Sequence, residues 1–256
     1  FAARRREWRV CNLLAPSLKL DPNDKDYPFS VKPDTLVTLE ALIDVFKDYY
    51  EGTPFDMTKN IKVTDKDGKS IISPLASPHM PYDANDLYGV NGGWNELGER
   101  TIARWYTMYA TIIQLRNWLP DEIGGVEWLA MDNVATSIYV PIYGCVTDLP
   151  SQYKNPRRIN GYSLESAWWI FNRLGTLTSQ RWGDMRHDVD AVWIPMQKQL
   201  IDEQKDVDQQ ALELYHRNKK SAIEFLNEYS NEEGEKVMKE AIKLGDFLWT
   251  KYDEKF

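Results

Sequence analysis

A chain of 256 residues, 43% apolar and 27% charged, is long enough to bury a sizeable core as one large domain or two small ones. Its net charge of −8 comes without the basic stripe that phosphate binding needs, which excludes nucleic acid as a partner. No apolar run approaches the length of a bilayer span, so the sequence reads as soluble with no membrane partner and assigns no compartment.

From the N-terminus, Arg4-Arg5-Arg6 reads as a solvated run or as a segment that contacts another part of a longer protein, and Trp8 to Leu20 reads as a short strand and turn. Pro16, Pro22, Pro28 and Pro33 then break up an irregular connection. Thr38 is placed to cap a helix with Leu39, Leu42, Ile43 and Phe46 at helical spacing, running to Tyr50 and ending at Gly52. The loop from Tyr49 to Asn60, YYEGTPFDMTKN, is dense in hydroxyls and carboxylates. Residues 63 to 98 read as a long loop-like connection, with TDKDGKS as a hairpin tip and His79 within it.

The stretch from Glu99 to Val146 is the only long one dense in β-branched and aromatic residues, and turn signals divide it into three antiparallel strands. Thr101 to Leu115 carries Ile102, Tyr106, Met108 and Ile112 on one face and Ala103, Trp105, Tyr109, Ile113 and Leu115 on the other. Both faces are apolar enough to be covered, and the chain's own helices supply cover for only one. Val126 to Met131 follows the Gly124-Gly125 turn. Asp132-Asn133 tolerates left-handed backbone and turns the chain into Ala135 to Tyr143, where Pro141 belongs at an edge or bulge.

After a loop from Asn155 to Gly161, the last third reads as helical, from 162 to 253. Ser163 can cap a helix with Ala167, Trp168, Phe171, Leu174 and Leu177 as its stripe. A second helix runs from Asp184 to His216, started or kinked by Pro195. Ser221 to Tyr229 forms a short third, and Ser230 with Glu233 makes a capping box for the last. The fold class is α+β, an antiparallel sheet followed by a helical C-terminal third.

Chemistry is sparse. Cys11 and Cys145 allow one bridge but read better as two unpaired buried thiols, and neither reads as a nucleophile, since no helix start or basic neighbour depresses either one's pKa. His79, His187 and His216 lack metal spacing, so no metal and no cofactor is expected. Glu203, Asp206 and Asp208 read as a solvated helix face. Glu51 and Asp56 are better placed for a role, and Arg100 and Arg104, so close to an apolar strand, need an anionic partner. Ten tryptophans read as core and interface packing, with a carbohydrate platform as the competing use.

The blocks WRVCNLLAPSL, YPFSVKPD, YYEGTPFDMTKN, ERTIARWYTMYATIIQLRNWLP, GGVEWLAMDN, TSIYVPIY and YSLESAWWIFN, in that order from Trp8 to about Leu200, resemble the C-terminal half of the dipeptidase A-type cysteine peptidases. These belong to the N-terminal-nucleophile hydrolases. The resemblance implies a four-layer αββα sandwich and a catalytic cysteine at residue one of the processed enzyme, with its own α-amino group as base. Residue one here is Phe1, so the nucleophile is expected on an N-terminal portion missing from this chain, and the chain alone is expected to be inactive.

By the same resemblance, Arg100 and Asn133 are candidates for ordering the site and steadying the oxyanion, and the Glu51-Gly52-Thr53 loop for walling the substrate pocket. Implied partners are a dipeptide substrate, the missing N-terminal half and, through the open sheet, a second copy of the chain. The competing reading is a Trp-rich, non-catalytic module that holds a glycan or a protein partner.

Overall fold

The computed structural model describes residues 2–78, 100–155 and 158–255, and the chain divides into two compact units, each taken by itself. Phe1, the connection from His79 to Glu99 with Trp94, and Pro156-Arg157 lie outside the described residues.

The first unit comprises residues 1–105 and 179–184. Its opening corrects the strand expected from Trp8: Ala2–Leu14 is a helix, α1, followed by a 3-10 turn over Pro16–Leu18. The run AARRREW is built from strong helix formers, which outweigh the β-branched Val10. The arginine run is also not simply solvated. Arg5 is buried, its guanidinium carbon 3.4 Å from the Phe55 ring centroid and its Nη1 donating to the Pro22 carbonyl. Trp8 meets the same phenyl edge-on at 5.5 Å and donates through Nε1 to the Leu20 carbonyl.

The second helix, α2 (Leu39–Lys47), starts as expected, with Thr38 Oγ1 accepting from the Ala41 amide at 3.2 Å. It stops three residues earlier than the periodicity suggests. TDKDGKS is the tip of a hairpin formed by β1 (Lys62–Thr64) and β2 (Ser70–Ile72).

The second unit, residues 106–178 and 185–256, holds the sheet. Here β3 (Tyr109–Leu115), β4 (Gly125–Met131) and β5 (Val140–Tyr143) pair antiparallel in the order β3-β4-β5. The register sets Ile112 opposite Trp128 and Trp128 opposite Pro141. Two strands are shorter than expected. Residues 101–108 form turns, because Ala103 N–H donates to the Asp48 carbonyl, Thr101 Oγ1 to the Ala103 carbonyl and Tyr50 OH to the Arg100 carbonyl. Those bonds take the groups a strand ladder would use. Residues 134–136 make a 3-10 turn before β5.

Three long helices pack in this unit: α3 (Ala167–Gln180), α4 (Trp182–Arg217) and α5 (Lys219–Lys251). Ser163 accepts from the Glu165 amide in a turn, and α3 begins only at Ala167. Pro195 lies inside α4 on its exposed side, where water can satisfy the carbonyl it leaves unpaired.

The last two expected helices are one. Ser230 is no cap: buried in mid-helix, its hydroxyl accepts the Tyr143 amide of β5 at 3.3 Å, and Asn218 caps the helix instead. Ala222, Leu226, Ser230, Gly234, Val237, Ala241, Leu244 and Leu248 make its buried stripe. Ser230, with Asn227 accepting from Thr147 and Asp148, thus occupies donors along the free edge that β5 presents.

Helix α4 grips the inner sheet side with polar hooks on one face. Trp193 Nε1 donates to the Thr136 carbonyl, Gln197 bonds both the amide and carbonyl of Tyr139, and Gln204 donates to Gln114. Asp208 departs from the solvated face expected of it. It pairs with buried Arg116 and accepts the Tyr143 hydroxyl at 2.8 Å, while Arg116 also donates to the carbonyls of Ile123 and Gly124.

Ile112, Val126, Trp128, Ala130 and Tyr143 are buried on this inner side. The other face of β3 is open: Tyr109 is 64%, Ile113 60% and Leu115 78% exposed. On that face β3 is exposed, whereas Glu127, Leu129 and Met131 of β4 are half-buried and Val140 of β5 is buried.

Candidate functional site

Two clusters contain the residues singled out in the sequence, one in each unit. In the first, α2 ends at Asp48, whose carboxylate accepts Arg9 Nε at 3.0 Å and Nη2 at 2.6 Å on one oxygen and the Tyr50 amide at 3.0 Å on the other. Tyr50 is fully buried with φ at +68°, a conformation that costs a non-glycine residue about 1–2 kcal/mol. The strain is held by its neighbours. Its hydroxyl donates to the Arg100 carbonyl at 2.8 Å, and its own carbonyl accepts both the amide and the hydroxyl of Thr53, at 3.0 and 2.7 Å.

Around this tyrosine the structure gathers three of the four candidates. Glu51 is exposed and accepts the Tyr49 hydroxyl at 2.8 Å. Thr53 is engaged in shaping its own turn, and Arg100 contributes its backbone while its side chain is exposed. Asp56 is buried and accepts from Gly52 N, Thr58 N and Thr58 Oγ1, so it organises the loop. Neither Arg100 nor Arg104 is in a strand, which removes the geometric premise that set them beside Ile102 and Tyr106.

The fourth candidate, Asn133, belongs to the second unit and follows another left-handed residue, Asp132, at φ +57°. This turn is buried throughout. The Asp132 amide donates to the Met108 carbonyl at 3.1 Å, and its carboxylate accepts Asn172 Nδ2 at 3.0 Å. From α3, Gly175 admits the turn: a Cβ there would lie 3.0 Å from Asp132 Oδ2 and 3.1 Å from Thr136 Oγ1.

Asn133 caps the 3-10 turn, its Oδ1 accepting the Ala135 amide at 3.1 Å. That bond fixes which end of the amide is which. The Nδ2 end is buried and has no partner among the described residues. A buried donor whose own acceptor is already engaged is left unspent, and such a group calls for an explanation. Asn172 and Gly175 were not singled out in the sequence. A polar residue in an apolar helical stripe and a glycine in mid-helix were the signals that could have marked them.

The cysteines offer no alternative centre. Burial, then the charge of Glu7, pushes the Cys11 thiol up, and Cys145 is raised mainly by burial. His187 and His216 are exposed on α4. Among the described residues no group of three or more His, Cys, Asp or Glu side chains could hold a metal ion, and no helix is long and apolar enough to cross a membrane.

The family model of Peptidase family C69 matches residues 2–194, which include both clusters, and the chain belongs to that family. It is 25% identical over 184 residues to dipeptidase A of Lactobacillus helveticus and 24% identical over 184 residues to a probable dipeptidase B of Lactococcus lactis subsp. lactis. Each alignment covers 72% of this chain and 31% of the relative. A probable dipeptidase of Latilactobacillus sakei is 24% identical over 187 residues, covering 72% of this chain and 33% of the relative. The alignments thus take in about a third of the length of these relatives.

Proposed function

We propose that this chain is part of a cysteine dipeptidase of the N-terminal-nucleophile type, hydrolysing small unblocked dipeptides by acyl transfer. The names of the relatives support the substrate class, and the unspent amide of Asn133 carries the assignment of a role to this chain.

In this reading the attacking cysteine lies outside these 256 residues. Its α-amino group takes the thiol proton, and the thiolate attacks the peptide carbonyl. As the C=O π pair moves onto oxygen, Asn133 Nδ2 donates to that oxyanion. Collapse expels the amine, which takes up the proton, and water then releases the acid from the thioester. The bare apolar face of β3 supports an αββα sandwich in which a second sheet packs against it.

The test uses the full-length protein against a panel of dipeptides, beside the 256-residue chain. Hydrolysis by the former and not by the latter is expected. Asn133→Ser keeps an acceptor for the Ala135 amide and removes the amide donor, so kcat falls about 100-fold or more. Hydrolysis by this chain alone, or full activity in Asn133→Ser, overturns the proposal.

A further inference from the structure

Helices α3 and α5 and the turn before α3 border a shallow, open cleft of about 550 Å³. Its walls are aromatic: Tyr162, Trp169 and Trp249. Trp169 is locked by edge contacts to Trp168 at 4.7 Å and to Tyr162 at 5.9 Å. Tyr162 and Trp249 each leave 55% of their surface open to solvent, so both rings are accessible to a ligand.

The polar side chains here combine donors with acceptors. Arg173 donates to the Asp246 carboxylate at 2.6 Å, and its guanidinium can lie across Gly245, where a Cβ would sit 3.4 Å from Cζ. The pair cancels its own charge, which selects a neutral ligand. Asn172 spends its amide donor on Asp132 and retains its carbonyl as an acceptor, and Thr176 adds an exposed hydroxyl. A ligand suited to this set has flat C–H faces for the rings and a rim of groups that both donate and accept.

We propose that the cleft between Tyr162, Trp169 and Trp249 binds a neutral pyranose sugar, its face on the aromatic side chains and its hydroxyls on Asn172, Arg173 and Thr176. A proline-rich peptide, the other common occupant of aromatic-walled grooves, offers carbonyl acceptors and would leave the Asn172 carbonyl unmatched.

The site is independent of peptide hydrolysis and is tested on the 256-residue chain. Cellobiose, maltose and decaproline are titrated separately, read by intrinsic fluorescence and saturation-transfer NMR, with circular dichroism checking the fold of each variant. A saturable response to a disaccharide at millimolar concentrations is expected. Trp249→Ala weakens it about tenfold or more and the near-isosteric Thr176→Val weakens it measurably, while Trp118→Ala, outside the cleft, leaves it unchanged. No saturation by either sugar overturns the proposal, as does binding that survives both cleft substitutions. Saturation by decaproline alone also overturns it and assigns the cleft to a peptide partner.

Discussion

Asn172 Nδ2 donates to Asp132 Oδ1 at 3.0 Å, tying α3 to a left-handed, buried turn whose next residue holds the unspent amide of Asn133. Strain in the turn is held from outside it, by this bond and by the room Gly175 leaves. Asn172→Ala is expected to cost about 1–3 kcal/mol by weakening support for a buried carboxylate, and Gly175→Ala about 1–3 kcal/mol by crowding Asp132 Oδ2 and Thr136 Oγ1. Urea denaturation of each variant measures both. On the proposed function, the same changes in the full-length protein should lower kcat more than they raise KM, because they displace the amide assigned to the oxyanion.

The Arg116–Asp208 pair gives a second prediction. Both side chains are largely buried, and the Tyr143 phenol, pushed up by burial and by the neighbouring Asp208 charge, donates to the same carboxylate. Arg116→Met strips the guanidinium from a buried anion and is expected to cost about 3–5 kcal/mol. Combining it with Asp208→Leu should recover a large part of that loss. A strictly additive double variant would show that the two residues are not coupled.

Thiol chemistry should follow pH in a stated direction. Burial raises Cys11 and Cys145, so at neutral pH iodoacetamide should modify the native chain more slowly than the urea-unfolded chain, the gap narrowing as pH rises through the folded thiol values. For folding the sign follows from the raised values. The unfolded thiols ionise first, so their contribution to stability is complete below the ordinary thiol range and is lost as pH climbs through the folded values. Cys11→Ser with Cys145→Ser should remove that alkaline decline.

The open face of β3 should make the isolated chain associate. Tyr109, Ile113 and Leu115 form an exposed apolar row on an edge strand. Light scattering should report species larger than a monomer as concentration rises, and Ile113→Lys should restore a monomer without loss of secondary structure. A strict monomer at high concentration in the unmodified chain would count against this face as a contact surface.

Local signals in the sequence were sufficient for several elements. The Thr38 cap, the TDKDGKS hairpin tip, the three-strand order and the left-handed tolerance of Asp132-Asn133 each rest on a few adjacent residues, and each is found. The sequence also drew attention to Asn133, through a likeness to related enzymes, without indicating which end of its amide is spent.

Long-range partners decided the rest. Residues 101–108 carry a strand's composition, yet the Ala103 amide is claimed by Asp48 and the carbonyl of Arg100, just before them, by Tyr50, some fifty positions away. Ser230 has a capping residue's neighbours, but the Tyr143 amide takes its hydroxyl and the helix runs on through it. Asp208 looks solvated until Arg116 and Tyr143 are set against it. Periodicity and capping are visible in the chain because they are encoded in neighbouring residues. The fate of a polar group depends on which distant donor or acceptor packing delivers to it, and that is settled only in the folded state.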